Sequence, residues 1–239
     1  MSNAFAVAFF LLAATGAPSE DGAALLARAD QYRSGFDSFV SRVRLTNYEG
    51  ERVLDEADYE VSIKDGNSFV RFLSARSKGQ ALVMRGDDMW FLLPSVSRPV
   101  RITPIQRLMG NVSNGDIARL RYADDYTPQV AGEETVDGQP CVQLDLVARR
   151  KGATYQRIRY VVRRADGRPL RAEFFLGSGK AMKTATYDGL RPLAGREILT
   201  RLVIQDVTNP QSRSTVEILD LAPRALPDKL FNPVRSEGR

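Results

Sequence analysis

Three short stretches of the chain carry residue types that could do chemistry. The run Gly177-Ser-Gly-Lys180 partly matches a phosphate-binding loop, in which backbone N–H groups and a lysine hold phosphates. Ala181, however, stands where Ser or Thr would bind magnesium, and Phe174 stands where the first glycine belongs. The match therefore fails, and we predict a β-turn at this run.

Two pairs of adjacent carboxylates, Asp87-Asp88 and Asp124-Asp125, could bind a metal ion or serve in acid–base catalysis. Adjacent residues of a strand point to opposite faces, however, and aspartate is common in turns. We therefore predict that neither pair is catalytic or metal-binding.

Residue counts exclude most familiar catalytic and metal centres. The 239-residue chain has no histidine, which excludes the Ser-His-Asp triad, HExxH zinc sites and histidine general bases. The single cysteine, Cys141, excludes an intramolecular disulfide, a CxxC redox motif and cysteine-ligated zinc or iron–sulfur sites. We predict no cofactor, no metal and no enzymatic activity. A hydrolase that uses carboxylates or lysine stays open, but no motif supports it.

Short alternating segments separated by turns predict a meandering antiparallel sheet. In residues 56–64, for example, Tyr59, Val61 and Ile63 alternate with polar residues, and an Asp-Gly turn follows. A sheet of this length must curl, close or split to cover its apolar face. The predicted strands are Glu56–Lys64, Ser68–Ala75, Ala81–Arg85, Met89–Leu93, Glu133–Val136, Cys141–Ala148, Tyr155–Arg164, Leu170–Leu176, Ala181–Tyr187, Arg196–Asp206 and Arg213–Leu221.

Helices are predicted at only a few places. Ser19 can cap a helix that runs from about Glu20 to Arg33. Ser113 and Asp116 stand at capping-box spacing, which predicts a short helix over residues 113–121. Two further short helices are predicted at Pro104–Met109 and Pro227–Phe231.

The amino terminus begins with an apolar run, residues 4–14, which is shorter than the about 20 residues that a membrane-spanning helix needs. Small residues follow at positions 15–17, as is typical of a signal-peptide cleavage region. We therefore predict that residues 1–17 are a signal peptide and that the protein works in the periplasm. No repeat, linker or composition break divides the rest, so residues 18–239 are predicted to form one domain.

Basic residues are concentrated in residues 149–171, where nine of them accompany one acid, Asp166, in a chain of net charge +5. Such a stretch could contact an anionic headgroup or an acidic partner protein, and Arg157, Arg159 and Arg163 are the predicted contacts. A solvated strand face would account for the same charge. Nucleic acid is not a predicted partner, because no nucleic-acid-binding motif accompanies the charge.

A curved sheet must cover its apolar concave face with helices, or leave a pocket that an apolar ligand can enter. Methionine adapts to varied apolar surfaces and would suit such a pocket. Plain core packing is the alternative for each apolar residue. The candidate lipid-binding residues are Met89, Trp90, Leu92, Met109 and Phe174.

One block of residues is more specific than the turns. Residues 85–98 read RGDDMWFLLPSVSR and are followed by Arg101-Ile102, Met109-Gly110 and Asp116-Ile117. Matching residues continue at 132–141, 169–174, 178–180 and 226–231. Over roughly residues 80–231, these stretches resemble the LolA-like outer-membrane lipoprotein-sorting family, in its branch of larger periplasmic proteins.

The resemblance implies an unclosed, strongly curved antiparallel β-barrel wrapped over a few helices, with an apolar cavity between them. It implies a periplasmic carrier that binds acyl chains of a lipid or lipoprotein and moves them between the inner and outer membrane. An inner-membrane RND-type exporter is an expected partner, and we expect a monomer. The gating arginine of the short sorting proteins is not assigned to Arg42, Arg44 or Arg71, because residues 40–80 match the family only loosely.

A second hypothesis stays open beside the carrier. A sensor or scaffold of the same fold would detect lipid or mislocalised lipoprotein and signal to a membrane exporter or another membrane partner. The basic residues 149–171 motivate this alternative.

Overall fold

A computed structural model of the protein describes residues 21–234. This range contains three α-helices and fifteen β-strands. The helices are α1 (Gly22–Arg33), α2 (Asn114–Ala118) and α3 (Tyr122–Asp125). The strands are β1 (Ser38–Glu49), β2 (Arg52–Lys64), β3 (Asn67–Phe72), β4 (Ala81–Arg85), β5 (Asp88–Leu92), β6 (Val100–Ile102), β7 (Arg107–Met109), β8 (Val112–Ser113), β9 (Tyr126–Val136), β10 (Gln139–Ala148), β11 (Arg157–Arg163), β12 (Pro169–Phe175), β13 (Ala181–Leu193), β14 (Arg196–Asp206) and β15 (Ser212–Pro223).

Thirteen of these strands form one curved, unclosed antiparallel sheet. The order is β6-β5-β4-β3-β2-β1-β15-β14-β13-β12-β11-β10-β9, so most neighbours are consecutive hairpins. The exception is β1, which pairs with β15 and joins the two halves of the described chain in the middle of the sheet. The predicted fold class, a mainly β, unclosed and strongly curved antiparallel barrel over a few helices, is confirmed.

The hairpins follow from local turn chemistry. Asp65 and Gly66 have φ values of 49° and 76°, and Asp137 and Gly138 have 48° and 75°. Two-residue hairpin turns of type I′ need positive φ at both positions, which glycine adopts freely and aspartate tolerates. The run Gly177-Ser-Gly-Lys180 is the turn between β12 and β13, as predicted.

One face of the sheet, here called the inner face, packs on the helices. Period-two alternation gives this face its apolar residues, and the helices contribute Leu25, Ala29, Ile117 and Tyr122 to the same core. The buried strand residues of this core include Val43, Leu45, Val61, Val70, Leu82, Met84, Met89, Leu144, Ile158, Phe174, Ile204 and Val216.

The opposite face, here called the outer face, has a smaller apolar cluster near one end. Phe69, Val83 and Leu92 pack there under Phe231. Phe231 ends a 3₁₀ turn, Asp228–Phe231, at the place where a short helix was predicted.

Helix α1 begins at Gly22, and the Asp21 carboxylate accepts a hydrogen bond from the Ala23 N–H at 2.9 Å. The helix ends at Arg33, as predicted. The predicted cap Ser19, the residue Glu20 and the predicted signal peptide of residues 1–17 lie outside the described residues.

Two sequence predictions about local structure need correction. The helix predicted at residues 104–109 is wrong, because this stretch ends in β7, which turns back at Gly110 to pair with β8. The strand β1 was missed, although Val43 and Leu45 alternate with Arg42 and Arg44. The capping box is confirmed: the Ser113 N–H donates to the Asp116 carboxylate at 2.8 Å, and α2 follows.

The two halves of the sheet also meet at one rim. The loop between β10 and β11 reaches the β4–β5 turn, where Arg150 Nε lies 2.8 Å from the Asp87 carboxylate. Gly152 lies so close to Asp87 that an added Cβ would be 2.7 Å from the Asp87 Cα. Among the described residues, no helix is long and apolar enough to span a membrane.

Gly115 of α2 provides a test of how tightly the helix is seated. An added methyl group would lie 1.9 Å from Thr154 Oγ1. Alanine favours a helix by about 1 kcal/mol over glycine, whereas overpacking a buried site costs about 1–3 kcal/mol. We therefore expect Gly115→Ala to lower the free energy of unfolding in urea, despite its better helix propensity.

Gly132→Ala in β9 is the matched control, because an added Cβ there meets open space. We expect its free energy of unfolding to stay within about 0.5 kcal/mol of the wild type. Equal stability of the two variants would contradict the close seating of α2.

Candidate functional site

Residues 103–125, here called the strap, cross the inner face of the sheet and include β7, β8, α2 and α3. Apolar strap residues, among them Val112, Ile117 and Tyr122, belong to the main core. The strap is also held by buried polar contacts at four places along its length. Between the strap and the sheet lies the candidate functional site.

The strongest of these anchors joins α2 to the sheet through Asp116. Its carboxylate lies 2.7 Å from Lys183 Nζ of β13, and this pair is buried with both side chains 4% exposed. The Tyr155 hydroxyl donates to the same carboxylate at 2.7 Å. Burial raises the pKa of the Tyr155 hydroxyl well above its usual value, so it acts as a neutral donor.

The second anchor joins the end of α2 to the β4–β5 hairpin. Arg119 makes a two-pronged ion pair with Asp125, with Nε 2.8 Å from the carboxylate, and both side chains are buried. Its Nη1 donates to the Gly86 carbonyl at 2.9 Å. The guanidinium fork therefore ties α2, α3 and the hairpin together.

The third anchor joins α3 to α1. The Asp30 carboxylate accepts the backbone N–H groups of Tyr122 at 3.0 Å and Ala123 at 2.8 Å. Burial raises the pKa of Asp30 to about 6, against the opposing effect of the nearby Arg33. The carboxylate thus caps the start of α3 from another helix.

The fourth anchor fixes the β7–β8 turn on the central strands. Asn111 donates from its backbone N–H to Ser214 Oγ at 2.9 Å and from its side chain to the Ser212 carbonyl at 2.9 Å. A Cβ on Gly110 would lie 2.4 Å from Asn47 Oδ1, so only glycine fits this close approach.

A mostly apolar cleft opens between α2 and the inner face of β1, β13, β14 and β15. Its cavity volume is about 50 Å³, much smaller than the roughly 300–1,000 Å³ of pockets that enclose ligands. The apolar cavity implied by the family resemblance is therefore narrow in this conformation. The lining residues are Arg33, Ser41, Val43, Asp116, Ile117, Leu120, Tyr187, Leu199, Thr200, Arg201, Leu202, Val216 and Ile218.

Burial divides the lining of this cleft into two parts. Ile117 and Val216 are buried, together with Arg33, whereas Leu120 and Leu202 are half-buried and form a rim. An apolar chain entering at the rim would therefore leave water before it reached Arg33.

A larger empty groove lies on the outer face, but its lining suits other ligands. A groove of about 350 Å³ is crossed by charged side chains, including Glu134, Arg159, Arg171 and Glu173. Charged walls do not favour an acyl chain, because their desolvation costs free energy. The cleft under α2 is therefore the better candidate, although it is smaller.

The five candidate lipid-binding residues do not come together at the cleft. Met89 and Phe174 are buried in the main core, and Met109 is half-buried against it. Trp90 and Leu92 lie on the outer face, because they alternate with Met89 along β5 and pair with outer-face residues of β4. Within residues 21–234, none of the five lines the cleft. Lipid binding by these residues stays a prediction.

The three arginines predicted to contact a partner lie on the outer face of β11. Each lies beside an acidic side chain. Two of these acids, Asp145 and Glu173, lie outside residues 149–171, and the third is Asp166. Arg157 lies 2.5 Å from Asp145, Arg159 lies 3.0 Å from Glu173 and Arg163 lies 2.5 Å from Asp166. The stretch is thus basic along the chain, but adjacent strands balance its charge on the sheet.

The adjacent carboxylates considered for catalysis are divided between separate ion pairs. Asp87 pairs with Arg150 and Asp88 with Arg101, while Asp125 pairs with Arg119. In the described part of the chain, no group of three or more His, Cys, Asp or Glu side chains is placed to hold a metal ion.

Sequence reasoning missed Arg33 and Asp30, the charged residues on the buried side of α1. Leu25, Ala29 and Arg33 stand at i, i+4 and i+8, and Asp30 follows Leu26 by four residues. This spacing places both charges on the apolar stripe of the helix, which is the signal that could have identified them. A charge on such a stripe is buried and needs a partner.

Comparisons with known proteins identify similar structures. A LolA superfamily protein from Nitrosomonas europaea, NE2245, is 34% identical, with a TM-score of 0.84, over 90% of this chain and 98% of that chain. A DUF1329 family protein from Desulfovibrio piger is 25% identical, with a TM-score of 0.72, over 88% of this chain and 95% of that chain.

Two further comparisons find a protein of the same fold and a matching family model. A putative outer membrane lipoprotein-sorting protein domain from Vibrio parahaemolyticus shares the fold, with a TM-score of 0.72 and 16% identity over 88% of this chain and 96% of that chain. A protein-family model whose description reads "-like: Uncharacterized protein" matches residues 64–235 of this chain. No curated protein matches the chain.

The buried pair of Asp116 and Lys183 yields a stability prediction. Lys183→Met would leave the Asp116 carboxylate buried without its cation, which typically costs about 3–5 kcal/mol. Lys64→Met is the matched control, because Lys64 pairs with Asp228, whose side chain is 91% exposed. Exposed pairs contribute about 1 kcal/mol or less. Urea unfolding should separate the two variants, and equal losses would contradict the anchoring role of Asp116.

Asp30 predicts an unusual pH dependence of stability. Its pKa is about 6 in the folded protein, against 3.8 for an ordinary aspartate, so the folded protein binds more protons than the unfolded chain between these values. The free energy of unfolding should therefore rise as the pH falls from about 7 to about 4.5, by on the order of 2 kcal/mol. The chain has no histidine to titrate in this window.

Asp30→Asn should flatten this rise when urea unfolding is compared at pH 4.5 and 7.5. Asp166, whose hydrogen bond with Arg163 lowers its pKa to about 2, contributes stability that is lost below this window. A pH dependence that is the same in both proteins would contradict the assignment to Asp30.

Proposed function

Because this chain belongs to the LolA superfamily, we propose that it is a carrier that binds the acyl chains of a lipid or lipoprotein. The observation that carries the proposal is the mostly apolar cleft between α2 and the inner face of the sheet. Here Ile117 of the strap faces Val43 and Val216 of the central strands across the space that a chain would enter.

A carrier of this kind has to open. The cavity of about 50 Å³ does not accommodate an acyl chain, so the strap must move away from the sheet. Each CH₂ group transferred from water into the opened cleft contributes about 0.8 kcal/mol, which offsets the loss of strap contacts. Closed and open states that differ by a few kcal/mol would allow both uptake and release.

The strap has contacts suited to such a movement. Buried polar anchors, among them Asp116 with Lys183, hold the strap in its closed position, and Ile117 and Leu120 contribute the apolar wall of the cleft. An acyl chain can replace the apolar contacts of Ile117 and Leu120, but the ion pair of Asp116 with Lys183 has to separate when α2 moves away from the sheet. Re-forming that ion pair would return the strap to the closed position when the cargo leaves.

We place this activity in the periplasm, with residues 1–17 directing export and cargo passing between the inner and outer membrane. An inner-membrane RND-type exporter is the proposed donor. We propose no catalytic step for the site.

The sensor or scaffold alternative loses the observation that motivated it. It depended on free positive charge at residues 149–171, whereas Arg157, Arg159 and Arg163 each lie beside an acidic side chain. Paired charges are already solvated by their neighbours and attract a partner less strongly. We therefore favour the carrier.

The carrier proposal is tested with a fluorescent acyl probe on the full chain. Leu202 lies at the half-buried rim of the cleft, so Leu202→Trp should fill the entrance and weaken probe binding by about tenfold or more, as expected for about 1.4 kcal/mol or more of lost contact. Native mass spectrometry and lipid extraction of the wild type should also detect co-purified lipid.

Val130→Trp is the matched control, because Val130 is exposed on the edge strand β9 and does not line the cleft. It should leave probe binding unchanged. A wild-type protein that binds no probe and carries no lipid would refute the carrier. Equal binding of the probe by Leu202→Trp and the wild type would show that the probe binds outside the cleft.

A further inference from the structure

The guanidinium of Arg33 is a buried cation in the wall of the apolar cleft. Its side chain is 6% exposed, and its carbon Cζ lies 3.7 Å from the ring centroid of Tyr122. Among the described residues, its Nη1 has no hydrogen-bond partner. The nearest carboxylate oxygen, on Asp30, is 3.8 Å away and beyond hydrogen-bond distance.

The carboxylate beside this guanidinium, on Asp30, and the carboxylate that lines the same cleft, on Asp116, are both engaged by other groups. Asp30 accepts the N–H groups of Tyr122 and Ala123, which hold it at the start of α3. Asp116 is neutralised by Lys183 and also accepts the Tyr155 hydroxyl. Within the described residues, no carboxylate is therefore hydrogen-bonded to the positively charged Arg33 side chain.

A second donor lines the same cleft. Tyr187 is buried on β13, and its hydroxyl lies beside those of Tyr122 and Tyr160, but within residues 21–234 it makes no hydrogen bond of ordinary geometry. Its ring lies 5.7 Å from that of Tyr160, and Tyr160 in turn lies 5.4 Å from Tyr122 under the guanidinium. Arg33 and Tyr187 thus belong to one continuous cluster and both border the empty space.

Buried polar groups are almost always hydrogen-bonded, and a buried charge needs a partner. Two unsatisfied donors, one of them cationic, beside an apolar cleft therefore indicate an anionic group with an apolar tail. One positive charge matches one negative charge. A planar carboxylate can accept bonds from a guanidinium and from a phenol at the same time.

We propose that Arg33 and Tyr187 bind the carboxylate of a long-chain carboxylic acid, whose alkyl tail extends between Ile117 and Val216 to the rim of the cleft. This inference rests on the proposed function, because the tail needs the space that strap movement opens. It goes further by naming the head group: the preferred cargo is a free, single-chain carboxylate.

The direction of the ligand follows from burial. Arg33 and Tyr187 are among the buried lining residues, whereas Leu120, Leu202 and Ile218 at the rim are half-buried. The head group would therefore lie at the inner end and the tail would point to the opening. A phosphodiester with substituents on both sides fits this end less well, because a buried head has room for one tail.

The test compares three ligands that share a twelve-carbon tail: laurate, dodecanol and dodecyl phosphate. Affinities are measured at pH 8 by displacement of a fluorescent acyl probe from the full chain, below micelle-forming concentrations. The wild type should bind laurate about tenfold to a hundredfold more tightly than dodecanol, as expected for a charge-assisted hydrogen bond. Dodecyl phosphate should bind more weakly than laurate.

Arg33→Met should lower the affinity for laurate about tenfold or more, so that laurate and dodecanol bind equally tightly. Tyr187→Phe should reduce the preference by a few fold, and it deletes only one oxygen atom, so the fold is retained. Arg213→Met is the matched control, because Arg213 also lies over a tyrosine ring, with its Cζ 4.5 Å from the ring centroid of Tyr48, but does not line the cleft. Its preference should equal that of the wild type.

The outcomes separate this inference from the carrier proposal. Equal wild-type affinities for laurate and dodecanol would overturn the carboxylate site while leaving the carrier intact, and this comparison needs no variant. Tighter binding of dodecyl phosphate would replace the carboxylate with a phosphate. Loss of the preference in Arg213→Met as well as in Arg33→Met would contradict the assignment of the head group to Arg33. If neither laurate nor dodecanol bound the wild type, the carrier proposal itself would fail.

Discussion

The structure depends on one constraint: a curved, unclosed sheet of thirteen strands has a long apolar face that must be kept from water. Helix α1 covers part of this face, and the strap of residues 103–125 covers another part. The strap contains only short strands and helices, so its apolar contacts do not by themselves specify one position. The buried polar anchors supply that specificity.

These anchors place an unusual number of charges inside the molecule. Asp116 with Lys183 and Arg119 with Asp125 form ion pairs whose side chains are 4% exposed. Buried pairs contribute little net stability relative to apolar packing, but breaking one is costly. They therefore define a single closed position of the strap, and movement away from that position is a discrete event.

Arg33 differs from the other buried cations because no carboxylate lies within hydrogen-bond distance of it in the described structure. Its position on α1 is dictated by helical spacing, which places it on the same side as Leu25 and Ala29. Helix α1 thus both seals the inner face and brings a positive charge to the cleft. In the proposed binding mode, the same helix both covers the sheet and recognises the ligand.

The outer face illustrates how pairing between strands changes the meaning of charge. Arg157 and Arg159 lie in a basic stretch of the sequence, but β10 brings Asp145 beside the first and β12 brings Glu173 beside the second. The positive charge is balanced across strands rather than along the chain.

The sequence predicted the fold class well because its signals are local. Period-two alternation and Asp-Gly turns each act over a few residues, and they were enough to predict an antiparallel meander. Period-two alternation could also have shown that the candidate lipid-binding residues do not share one face of the sheet. Met89 and Trp90 are adjacent on a strand and point to opposite faces. The helix expected at residues 104–109 failed because pairing with β8 outweighed its weak local preference.

Local sequence patterns account for most of the strands, the hairpin turns, the capping box at Ser113 and the placement of charge on the buried side of α1. Long-range packing settles which of these elements meet. The cleft is built from α1, α2, β1 and β13–β15, which are separated by up to about 180 residues. Such contacts depend on the register and packing of the whole sheet, and no local pattern encodes them.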